Sequence, residues 1–161
     1  MQYETKIDIT KEEMLKANWA SAVSHKALVI FLVVYEVLGL LMIILNILLG
    51  QVAEVFGYVM PCLILPLLFF FMVRMRVVDS YNKTPGIQGE RKYIFDDKMI
   101  VTETQRGSSF VRYEELTRVI ETNTHFYLKP GPQLIMIIKK ENCSNELLSF
   151  LSDLKNQVNK K

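Results

Sequence analysis

Between Ala27 and Val73 the chain runs 47 residues with only two formal charges, Glu36 and Glu54. Ala27–Leu49 is interrupted only by Glu36 and Asn46, and Val55–Val73 carries no charge at all. At 1.5 Å per residue the first run reaches roughly 34 Å as a helix, against a hydrocarbon core of roughly 30 Å. A helix also satisfies its own backbone groups where water is absent. Gly50–Glu54 leaves too little chain for anything but a tight reversal, so the block predicts two antiparallel transmembrane helices. A buried hairpin inside a soluble protein is the rival reading. The 26 residues before the block and the 88 after it are too few to cover it.

Charge sets the orientation. Lys16, His25 and Lys26 precede the first span; Arg74 and Arg76 close the second, with Lys83, Arg91 and Lys92 beyond; the tip has only Glu54. The positive-inside rule then predicts both termini in the cytoplasm and the tip outside. A cleaved signal peptide is not expected, because the first run starts late, is too long and follows an acidic segment.

The flanks carry different periodicities. Tyr3–Ile9 alternates and reads as a strand with Tyr3, Thr5, Ile7 and Ile9 on one side. Thr10-Lys11-Glu12-Glu13 reads as a capping box opening a helix whose apolar stripe is Met14, Leu15, Trp19, Ala22 and Val23. That helix either runs on into the first span or lies along the membrane surface. Residues 74–90 read as a basic linker containing Pro85, Gly86 and Gly89. Beyond it, short runs with a period of two alternate with turn residues: 91–95, 98–104, 109–113, 117–122, 125–129 and 133–139. Leu134–Ile138 is apolar on both faces, which predicts cover on both sides. Ser144 caps a closing helix with Leu147, Phe150, Leu151, Leu154 and Val158 at three-and-four spacing. The expected fold is an α+β membrane protein: a two-helix hairpin plus a small antiparallel PH-like β-barrel or sheet, capped by a C-terminal helix. Its parts are residues 1–26, a hairpin over 27–73, the linker 74–90 and a domain over 91–161. The N-terminal strand is expected to add to that domain's sheet.

This order resembles the YcxB-like family of bacterial membrane proteins. The matching stretches are Tyr93–Ile100, Tyr113–Thr122, Phe126–Leu128 and Ile137–Lys140. The resemblance implies membrane location and a PH-like domain, and brings no catalytic residues with it.

Little in the sequence spells chemistry. Cys62 and Cys143 fall in different parts of the molecule, and His25 and His125 have no carboxylate at helical ligand spacing. No Walker, nucleophile-elbow or dinucleotide pattern occurs. No enzyme and no cofactor is expected. Nucleic acid is disfavoured as a partner, since residues 85–161 hold 12 basic and 10 acidic side chains.

The candidate sites are therefore contact surfaces. Glu36, Asn46, Pro61 and Pro66 are candidate intramembrane contacts. An acid near the bilayer centre marks either a helix–helix contact or a neutral side chain bonded within its own hairpin. Arg74, Arg76, Lys83, Arg91 and Lys92 are candidate lipid-facing cations beside an anionic leaflet. Lys129, Pro130, Gly131 and Pro132 form a candidate binding loop. The expected role is non-enzymatic: a membrane protein presenting its cytoplasmic domain to a protein or to lipid headgroups. The alternative is an immunity protein that neutralises a membrane-active toxin through the hairpin. A homo-oligomer is compatible with either, whereas transport or conduction would need several hairpins to enclose a path.

Overall fold

The computed structural model describes residues 2–83, 88–131 and 134–160. Pro85 and Gly86 of the linker, and Pro132 and Gln133, lie outside them. The order is β1 (Tyr3–Ile9), α1 (Lys11–Ser24), α2 (Lys26–Leu48), α3 (Val52–Lys83), β2 (Gly89–Phe95), β3 (Met99–Thr104), β4 (Gly107–Arg112), β5 (Arg118–Glu121), β6 (His125–Lys129), β7 (Met136–Lys139) and α4 (Asn145–Val158).

Both α2 and α3 are long and apolar enough to cross a membrane, and no residue in the most apolar window of either is buried within the protein. A core helix of a soluble protein would be covered, so this bare surface fits lipid contact. The two helices are joined through Gly50, whose φ of +74° suits a residue without Cβ. The Gln51 amide donates to the Asn46 carbonyl at 2.9 Å and the Gly50 amide to Ile47 at 3.1 Å. This is a Schellman closure, which satisfies carbonyls the helix end would leave open. Along the hairpin, the Cys62 thiol fills the space where a Cβ on Gly39 would stand.

The second helix does not stop at Val73. It continues to Lys83, so Arg74, Arg76 and Lys83 sit on helix, where the composition suggested linker. The physical reason is tertiary. Val77 is buried and the Tyr81 hydroxyl donates to the Ile9 carbonyl at 3.4 Å, so the polar end of α3 is held by the sheet domain.

The first strand does join the later sheet. Tyr3 to Ile9 pair antiparallel with Phe95 to Gly89, giving the order β1-β2-β3-β4. A second antiparallel sheet has the order β5-β6-β7. The strands therefore form two small sheets and no closed barrel. Between β4 and β5 the chain turns through a short 3-10 segment, Tyr113–Glu115, instead of pairing on. One core fills the space between the layers: Ile7, Tyr93, Phe95 and Ile100 from the larger sheet, Leu128 and Ile138 from the smaller. Leu147, Leu151, Leu154 and Val158 of α4 complete it, as the spacing predicted, and the Ser144 hydroxyl accepts from the Leu147 amide.

Helix α1 ends at Ser24, with His25 off helical geometry at ψ 88°, so of the two expected courses it does not run on into α2, and its buried face departs from expectation. Its buried face is Glu13, Ala17 and Ser21, not the apolar stripe. Trp19 and Val23 are exposed, with Trp19 against Phe69 and Phe70 of α3. Thr10 accepts from the Glu13 amide at 3.3 Å, but the Glu13 carboxylate completes no capping box because it is drawn to His125.

The Gly39–Cys62 contact yields a graded test. Gly39→Ala needs only a turn of the Cys62 side chain and is expected to be nearly neutral. Gly39→Leu is expected to cost about 1–3 kcal/mol by overpacking, read as a lower thermal midpoint in detergent.

Candidate functional site

On a strand, neighbouring side chains face opposite ways. The β6 residues His125, Tyr127 and Lys129 therefore share the face under α1, while Phe126 and Leu128 enter the α4 core. All five are buried. What meets α1 is consequently polar. His125 Nε2 stands 2.8 Å from Glu13 Oε2, and neither atom has another hydrogen-bond partner among the described residues. Thr124 Oγ1 lies 2.7 Å from His125 Nδ1, and the imidazole stacks on Tyr127. About two turns along α1, Lys129 Nζ donates to Ser21 Oγ at 2.7 Å, and Arg118 donates to the Ser24 carbonyl at 3.0 Å.

Burial holds the His125 imidazole below its ordinary pKa, against the opposing pull of Glu13. Burial likewise lowers the Lys129 ammonium, helped by Arg118. The Tyr127 phenol is pushed up to about 12, chiefly by burial and then by Glu13. These groups face one another across the seam. The seam is a clamp between α1 and the smaller sheet.

The open space lies beside that seam. A cavity of about 630 Å³ sits between α1, the C-terminal end of α3, β2 and β7. Arg76 and Arg91 both line it, with Met14, Ser21, Ser80 and Ile137 among its walls, and no carboxylate among the described residues does. Its position follows from chain geometry. Helix α3 has 32 residues, roughly 48 Å, of which roughly 30 Å is taken up in hydrocarbon. Arg76 lies one turn past the apolar run. Arg91 shares its side of β2 with Tyr93 and Phe95, so the guanidinium starts from the inner face of the sheet. A second cleft of about 500 Å³ lies on the other side of α1, lined by Lys16, Trp19, Glu121 and Tyr127 among others.

Of the five cations expected at the membrane surface, the fold brings together two. Arg74 is exposed on α3 away from the cavity, Lys83 pairs with Asp79 at 2.8 Å and Lys92 with Glu4 at 2.8 Å. The four intramembrane candidates also separate. Asn46 is buried, its amide donating to the Met42 carbonyl at 2.8 Å, and Glu36 has one carboxyl oxygen covered with no hydrogen-bond partner. Pro61 and Pro66 are exposed, and α3 runs unbroken through both. The proposed loop loses its charge: Lys129 is turned inward under α1, while Pro130 and Gly131 are half-buried. Among the described residues no His, Cys, Asp and Glu cluster could hold a metal ion.

Sequence reasoning missed the clamp. Glu13, Ser21, Arg118 and Lys129 look like ordinary surface residues, and His125 is a lone histidine. The only available signal was the alternation that puts His125, Tyr127 and Lys129 on one face of a strand flanked by apolar residues.

Residues 94–154 match the family model described as YcxB-like protein. The match begins in β2 and ends in α4, spanning both sheets except β1. That stretch is similar to a YcxB-like domain. No curated protein and no solved structure matches the chain. The match does not reach α1 and β1, so the YcxB-like unit here is completed by residues from before the hairpin.

The depressed His125 pKa gives a pH prediction with a definite sign. The unfolded histidine takes up a proton more readily than the folded one. Its contribution is therefore complete above about pH 6.5 and is lost progressively as pH falls below that. Thermal midpoints of the wild type should drop between pH 7 and pH 5 more steeply than those of His125→Gln. Parallel curves would mean the imidazole does not titrate between the two states.

Proposed function

We propose that this protein is a non-enzymatic bacterial membrane protein whose YcxB-like domain works as a binding module at the cytoplasmic surface. The pairing of β1 with β2 carries this reading. These strands flank the hairpin in sequence, so a membrane crossed by α2 and α3 must leave both flanks on one side. Arg74, Arg76 and Lys83 at that end, against Glu54 near the tip, favour the cytoplasmic side. The cavity between α1 and α3 is the best-formed place for a ligand, and the unpaired edge of β4, with Phe110 exposed, is a further surface for a protein partner.

A toxin-neutralising hairpin draws less support. Of its four candidate contacts Pro61 and Pro66 are exposed, but Glu36 and Asn46, the polar ones, have atoms covered within the protein.

Single-cysteine labelling tests the reading. With Cys62 and Cys143 replaced by alanine, Gln51→Cys should react with a membrane-impermeant thiol reagent in intact cells. Ser149→Cys should react only after permeabilisation. Labelling of Ser149→Cys in intact cells, or release of the protein by carbonate, would overturn it.

A further inference from the structure

We infer that the cavity between α1, α3, β2 and β7 binds the headgroup of an anionic phospholipid from the cytoplasmic leaflet, held by Arg76 and Arg91. This rests on the reading that α2 and α3 lie in a membrane. Three independent features point to this chemistry. The first is charge. Among the described residues two guanidiniums and no carboxylate line the cavity, and Lys129 stands behind its Ser21 wall with no carboxylate at ion-pair distance. Arginine is suited to phosphate because its planar fork makes two parallel charge-assisted hydrogen bonds.

The second feature is depth. Arg76 is carried by the same continuous helix as the apolar span, one turn beyond it, which is the level of lipid phosphates. Helix α1 runs alongside, with Trp19 packed on Phe69 and Phe70, an aromatic placement typical of the membrane interface. The third is wall composition. Ser80 and Asn18 offer polar contacts, whereas Ile9, Met14 and Ile137 are apolar, and Leu134 beside them is exposed. A small soluble anion has no use for apolar walls. A phospholipid presents phosphate to the arginines and its glyceryl portion to the apolar side, while its acyl chains stay beside the bare flank of α3, where Met72 and Met75 are exposed.

The test uses full-length protein purified in detergent, titrated with phosphatidylglycerol, phosphatidylcholine or inorganic phosphate, and followed by native mass spectrometry. Phosphatidylglycerol should be retained at one molecule per chain. Affinity should fall about tenfold or more in Arg76→Gln, the loss of a charge-assisted hydrogen bond. Ser80→Glu, which adds a carboxylate to the wall without removing an arginine, should weaken binding similarly. Arg74→Gln, outside the cavity, should leave it unchanged. Equal loss in Arg74→Gln and Arg76→Gln, equal retention of phosphatidylcholine, or displacement of the lipid by inorganic phosphate would each overturn the inference. Because this measurement is made on purified protein, its failure leaves the thiol-labelling topology intact. Failure of that topology would remove the membrane reading whatever the titration shows.

Discussion

The pairing of β1 with β2 is the contact on which the arrangement depends. Seven residues at the start of the chain lie against seven that follow the hairpin, from Tyr3 opposite Phe95 to Ile9 opposite Gly89. Without that ladder, β2 would be an edge strand with open backbone groups, and Ile7 and Ile9 would leave the core. The hairpin is consequently not a tether trailing from a finished domain. Its two ends are bound into one sheet, and the span of α2 and α3 must fit the distance between them.

Helix α1 follows from this closure. Coming directly after β1, it is laid over the outer face of the smaller sheet, where it contacts β5 and β7 on one side and α3 on the other. The buried polar seam explains how so small an interface holds. Glu13 with His125 near the start of the helix, and Ser21 with Lys129 and Ser24 with Arg118 in its last turn, fix it at both ends. Directional contacts of this kind specify one rotation of the helix, whereas an apolar stripe would tolerate several. Glu121 does the same on the far side, taking Lys140 at 2.7 Å and Lys155 at 2.8 Å, which hold its carboxyl below the usual range and tie β5 to α4.

The cavity is a by-product of the same geometry. A rigid continuation of α3 enters the sheet domain at Val77 and Tyr81, and α1 crosses beside it without closing the gap. What fills the walls is then decided by sequence: arginines at 76 and 91 and apolar groups elsewhere. Of the cations at other nearby positions, Lys83 pairs with Asp79 and Lys92 with Glu4.

Periodicity and length alone determined the two spans, the seven strands to within a few residues, and the amphipathic closing helix, because each is a one-dimensional pattern that survives without neighbours. The alternation of Tyr3–Ile9 and the 19 uncharged residues of Val55–Val73 needed no tertiary context to be read. Only the folded chain decided where α3 ends, which face of α1 is buried, and which cations meet. Val77 and Tyr81 prolong a helix through contacts with residues far away in sequence. Glu13 is buried because His125, 112 positions later, stands opposite it. Arg76 and Arg91 line one cavity because strand pairing across the hairpin brings β2 back to the end of α3, a relation that no local spacing encodes.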